Sequence, residues 1–85
     1  MRPALIFHGY CFTLEDGGLY QYDLGGTDAP IVHKRTARSG WLPFTLDGRL
    51  LERGQSEEDI ERIYVKLADM NFEQDFLNVL LKVEE

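Results

Sequence analysis

Two histidines and one cysteine are the residues with the most obvious chemistry. His8-Gly9-Tyr10-Cys11 sets an imidazole and a thiol three positions apart, and His33 supplies a second imidazole. Imidazole nitrogen and thiolate sulfur are good zinc ligands, and a thiol with an imidazole base can act as a nucleophile. The surrounding pattern argues against both. Residues about Ala4 to Leu14 read as a strand, on which positions three apart point to opposite faces. His8 and Cys11 then close on one metal only with a bulge at Gly9. Cys11 lies between Tyr10 and Phe12, not in the electropositive, partly exposed setting that activates a thiol. The expectation is a partly buried His8 and a core Cys11. The sequence assigns no catalytic residue, no metal ligand and no cofactor.

Other signatures are missing. Gly17-Gly18 and Gly25-Gly26 belong to no phosphate-binding or dinucleotide-binding glycine pattern and read as turns. Ser39 beside Gly40 lacks the frame of a nucleophile elbow. Asp23, Asp28 and Asp47 stand in turn-like contexts, where aspartate serves backbone geometry.

The sharpest local feature is His33-Lys34-Arg35-Thr36-Ala37-Arg38-Ser39-Gly40-Trp41, three cations ahead of the single tryptophan. Lys34, Arg35 and Arg38 could bind phosphates, with Trp41 as a stacking platform. The same four residues could meet an acidic protein partner, because Trp and Arg are favoured at interaction hot spots. The structural alternative is a charge-protected edge strand or loop, with Trp41 in the core.

Charge is distributed unevenly over the 85 residues, whose net value is −6. Residues 1–32 carry one base and four acids (−3), residues 33–53 five bases and two acids (+3), and residues 54–85 three bases and nine acids (−6). The balance excludes a uniformly basic nucleic-acid binder but leaves a local basic site at 33–41. Part of the acidic block has a structural reading: Glu57, Glu58, Asp59 and Glu61 fall in or near the first turn of one helix, and Glu73 and Asp75 in the first turn of the next, where acids complement the helix dipole. The functional alternative is an acidic surface that mimics nucleic acid or docks on a basic protein.

These residues must be positioned by elements whose periodicity changes once. All eight glycines lie at or before Gly54, and the last 31 residues contain neither Gly nor Pro. Strands followed by helices are expected, the α+β order. The first strand, 4–14, has apolar residues on both faces at its start and should be central or covered on both sides. The second, 19–24, sets Tyr20, Tyr22 and Leu24 on one face. A three-residue loop at Asp16-Gly17-Gly18 would align that set with Tyr10, Phe12 and Leu14 by pairing Phe12 with Tyr22. Ile31 to about Lys34 forms a short third strand. Asp47-Gly48 suggests a type I′ hairpin setting Phe44 opposite Leu51, and Pro43 sends that strand to an edge. Ser56 caps a helix over 56–70, with Ile60, Ile63, Tyr64, Leu67 and Met70 at helical spacing. Asn71 caps a second helix with Phe72, Phe76, Val79, Leu80 and Val83 on one face; helix is favoured, and a buried strand over 76–83 is the alternative.

The expected fold is α+β: a small antiparallel β-meander of about four or five short strands, followed by one or two C-terminal α-helices packed on one face. The whole forms one domain, strand-rich over 4–53 and helical over 56–84. Phe7, Tyr10, Phe12, Tyr20, Tyr22, Phe44 and Phe76 are the expected core aromatics. The apolar run at the N-terminus is too short for a secretory signal, one cysteine forms no disulfide framework, and no apolar run approaches a membrane span. A cytoplasmic protein with no membrane partner is expected. The functional expectation is a non-catalytic interaction or regulatory protein with a protein partner, or one that self-associates as a homodimer. The alternatives are a nucleic-acid-binding module using residues 33–41 and a small enzyme of unknown type using His8, His33 or Cys11.

Overall fold

The computed structural model describes residues 3–52 and 55–84, with side chains through residue 70. Five strands, β1 (Ala4–Phe7), β2 (Tyr10–Glu15), β3 (Gly18–Asp23), β4 (Ile31–Thr36) and β5 (Gly40–Phe44), precede one helix, α1 (Glu57–Glu84). The strands form one antiparallel sheet in sequential order, β1-β2-β3-β4-β5. This is the expected α+β meander with its helix on one face.

The expected first strand is two strands. His8 and Gly9 take positive φ of 49° and 82°, the pair a type I′ turn demands, and Phe7 pairs with Tyr10 across it. A short chain segment that was expected to be central therefore folds back, and β1 becomes an edge. His8 stands exposed in the turn, not partly buried.

The second turn also departs from expectation. Asp16 and Gly17 have φ of 46° and 78°, again a two-residue type I′ loop. Glu15 pairs with Gly18, Leu14 with Leu19, and Phe12 with Gln21, not Tyr22. Residues directly opposite share a face, so this register sends Leu19 and Gln21 to the face of Phe12 and sends Tyr20 and Tyr22 to the other. Asp-Gly is the sequence best suited to a type I′ turn, and the turn overrides the alignment of aromatics.

The third hairpin shifts the opposite way. Thr45 N–H donates to Arg49 O at 2.8 Å and Gly48 N–H to Thr45 O at 3.0 Å, with φ +92° at Gly48. This is a three-residue loop closed by a glycine bulge, so Phe44 bridges to Leu50 instead of Leu51.

The core lies between one sheet face and α1. Phe12, Leu19 and Trp41 pack with Ile60, Ile63 and Leu67, and Leu5, Phe7, Tyr10, Leu14 and Tyr64 close around them. Tyr20, Tyr22 and Phe44, expected in the core, lie on the opposite face by register; there Tyr20 stacks on Tyr22 at 6.3 Å between ring centroids. Cys11, opposite Tyr22, is half-buried on that same face.

Ser56 caps α1 as expected: Asp59 N–H donates to Ser56 Oγ at 3.2 Å. The helix then runs unbroken through Asn71 to Glu84, about 42 Å at 1.5 Å per residue. One helix replaces the two expected, and residues 76–83 are helical. Asn costs only a fraction of a kcal/mol inside a helix, and no Gly or Pro follows Gly54 to stop it. The expected apolar face of Phe72, Phe76, Val79, Leu80 and Val83 lies outside the described side chains.

Candidate functional site

The basic segment is divided by the sheet. Strand alternation puts Lys34 on one face and Arg35 on the other, because β4 pairs Lys34 with Leu42 and Arg35 with Trp41. Lys34 lies 5.7 Å over the Phe44 ring on the face away from α1. Arg38 is exposed in the β4–β5 turn. Arg35 stacks on Trp41 and Tyr64, its guanidinium carbon 5.4 and 4.6 Å from their ring centroids, and pairs with Glu61 at 3.3 Å. Trp41 is 8% exposed and faces Tyr64 at 5.2 Å. Arg35 and Trp41 are thus brought together, but into a junction between β5 and α1. Lys34 and Arg38 are not part of it.

That junction is held by acids of the first turns of α1. Trp41 Nε1–H donates to Glu61 Oε2, and Trp41 N–H donates to Glu57 Oε1 at 3.0 Å. The acidic block that could have been a free surface is partly spent on the sheet edge.

The residues considered for metal or nucleophile chemistry are separated. His33 is opposite Leu19 on the α1 side, Cys11 is on the other face, and His8 is in the β1–β2 turn. His33 is buried at 2% exposure beside Gln21 at 4%; Nε2–H of His33 donates to Gln21 Oε1 at 2.8 Å. Burial holds the imidazole down at about 4, well below its ordinary 6.5. The sheet sets Cys11 and His33 on opposite faces and His8 in a turn, and among the described residues no cluster of His, Cys, Asp or Glu could hold a metal ion.

Asp23 serves its own loop. Its carboxylate accepts from the N–H groups of Gly25, Thr27 and Asp28 and from the Thr27 hydroxyl, at 2.7–3.0 Å. Those bonds hold its carboxyl at about 2, since each favours the charged form.

The two sheet edges differ in kind. In an antiparallel ladder, alternate residues point their N–H and C=O to one neighbour and the rest to the other. The type I′ turns close on the bonded pairs Phe7–Tyr10 and Glu15–Gly18. Carried across the sheet, this parity turns Trp41, Pro43 and Thr45 outward on β5, and Ala4 and Ile6 outward on β1. The β5 row is sealed to donors: among the described residues it leaves no outward N–H free. Trp41 N–H is bound by Glu57, Pro43 has no N–H and its carbonyl accepts from Leu51 at 2.9 Å, and Thr45 N–H is bound by Arg49 O. Pro43 stands at the edge, as expected for a residue that cannot donate to a ladder.

The β1 row is open. Among the described residues nothing bonds the outward groups of Ala4 and Ile6. The strand Ala4-Leu5-Ile6-Phe7 has no charge, no proline and no bulge, the devices that protect an edge. Ile6 is 68% exposed. A groove of about 1000 Å³ runs along α1, lined by Leu5 and Phe7 of β1, by Arg35 of β4 with Gly40 and Trp41 of β5, and by the Glu57-to-Lys66 stretch of the helix. Sequence reading missed this site because it missed the turn at His8-Gly9; the one available signal was an isolated glycine within a strand pattern.

Among the described residues no helix is long and apolar enough to cross a membrane. Comparison with protein-family models, curated proteins and solved structures returns no match.

Proposed function

We propose that this chain is a non-catalytic interaction module that accepts an extended segment of a protein partner on the β1 edge. The contrast between a sealed β5 and an open, apolar β1 carries the reading. Strand addition takes its affinity from main-chain hydrogen bonds and its specificity from pockets for alternate side chains. The β1 edge offers the first at Ala4 and Ile6, and the groove against α1 offers the second. The placement of Cys11 and His33 on opposite sheet faces, with His8 in a turn, supports a binding role over catalysis by those residues.

Amide hydrogen exchange tests this. The amides of Leu5 and Phe7, bonded to β2, are expected to be protected throughout. Those of Ala4 and Ile6 are expected to exchange freely in dilute protein and to become protected in concentrated protein, or with a binder selected from displayed extended peptides. Free exchange under both conditions refutes strand addition at β1.

A further inference from the structure

We infer that the segment added to β1 is the β1 strand of a second copy, related by a two-fold axis normal to the sheet through Leu5. This rests on the strand-addition reading and names its partner. Such an axis makes two strands antiparallel and continues each sheet face into its own copy, so it pairs only residues of like parity. Pairing Ala4 with Ile6 of the second copy, and Ile6 with its Ala4, satisfies every outward N–H and C=O of both residues in both copies. Leu5 then meets its own counterpart on the axis, in a non-bonded pair on the α1 side. No other register uses all of these groups, because His8 has already left the strand. The self-pairing meets no like charges, since β1 contains none.

Charge on α1 fits the same axis. The flank that borders the groove begins with Glu57, Glu58 and Asp59 and continues to Arg62 and Lys66. Asp59 is paired with Arg62 at 2.9 Å. Among the described residues Glu58 and Lys66 have no ion-pair partner. An axis normal to the sheet lays the two α1 helices antiparallel on one side of a ten-stranded sheet. The acidic start of each flank then faces the basic part of the other, Glu58 toward Lys66 of the second copy, twice. A two-fold interface must be self-complementary in this way, and an acid-to-base gradient along one flank is.

Sedimentation equilibrium of the full chain, with the monomer at 9.8 kDa, measures the dimer directly. Ile6→Pro removes an N–H that points away from β2 and is expected to raise the dimer Kd about thirty-fold, the equivalent of two lost hydrogen bonds. Glu58→Lys and Lys66→Glu are each expected to weaken the dimer about tenfold at low salt, and the double variant to restore it, since two exposed ion pairs become two repulsions. In a Cys11→Ser background, Leu5→Cys is expected to oxidise to a covalent dimer, because non-bonded antiparallel partners sit about 4.5 Å apart at Cα, within disulfide reach. A chain that stays monomeric to about 100 µM while a displayed peptide protects Ala4 and Ile6 overturns the second-copy inference and leaves strand addition standing. A dimer indifferent to Ile6→Pro and to the charge exchange, with no Leu5→Cys cross-link, overturns the inference and shows an interface elsewhere.

Discussion

Acidification should destabilise this protein through His33. The side chain is 2% exposed, and burial lowers its folded pKa from 6.5 to about 4. The unfolded chain therefore binds the proton first, and stability falls as pH drops from 6.5 toward 4. At about 1.4 kcal/mol per unit, the full loss is about 3 kcal/mol, with about 2 kcal/mol already gone at pH 5. The hydrogen bond to Gln21 does not prevent this, because Nε2–H can still donate after protonation; the cost is the charge in an apolar setting beside Phe12, whose ring centroid is 6.3 Å away. Urea unfolding at pH 7, 6 and 5 reads the effect. The reference is the double variant His33→Leu with Gln21→Leu, in which both partners of the buried bond become apolar; such replacement is close to neutral at pH 7. Carboxylates titrate in both proteins and cancel in the difference. If the stability difference between the two proteins stays flat from pH 7 to pH 5, burial of a neutral His33 is wrong.

Three further outcomes are expected. Glu61→Ala strips the acceptor from Trp41 Nε1 and the ion pair from Arg35, at a cost of about 1–3 kcal/mol for the stranded donor in urea unfolding; Glu52→Ala, at an exposed acid outside α1, is the control expected to stay within about 0.5 kcal/mol. Gly40→Ala is expected to destabilise more than Gly48→Ala: both sites have positive φ, but a Cβ at Gly40 would collide with the Glu57 carboxylate, whereas one at Gly48 meets nothing within 4 Å. Thermal unfolding ranks the two, and adding Glu57→Ala should recover the steric part. Asp23, with its folded carboxyl at about 2 against an ordinary 3.8, supports its loop at every pH above 3.8 and releases it only as pH falls toward 2; exchange of the Thr27 and Asp28 amides should speed up over that window, and at neutral pH in Asp23→Ala.

Much of the fold is legible in the residues. The change from period two to period 3.6 near Ser56 marks where strands give way to helix. Ser56 with Asp59 marks the first turn. Pro43 marks an edge strand. Ile60, Ile63 and Leu67 are buried at their helical spacing. The candidate site is less legible. The basic run Lys34, Arg35 and Arg38 is contiguous in the chain, yet a pleated strand sends neighbours to opposite faces, so contiguity does not make a patch. The β1 edge has no sequence signature beyond an uncharged strand and a glycine.

The succession of strands before helix and the helix start were determined by the sequence alone, because they rest on interactions within a few residues: periodicity, capping and turn chemistry. Which sheet face became the core was not. Leu19 on one side of β3 and Tyr20 with Tyr22 on the other are both apolar enough to be buried, so alternation cannot choose between them. The choice came from the turn at Asp16-Gly17, whose two-residue geometry fixed the register, and from α1, which covers only one face. The same tertiary event placed Glu57 and Glu61 against Trp41 and sealed β5. It left Ala4 and Ile6 of β1 as the open row, since a sheet that does not close on itself keeps its second edge unless another element covers it.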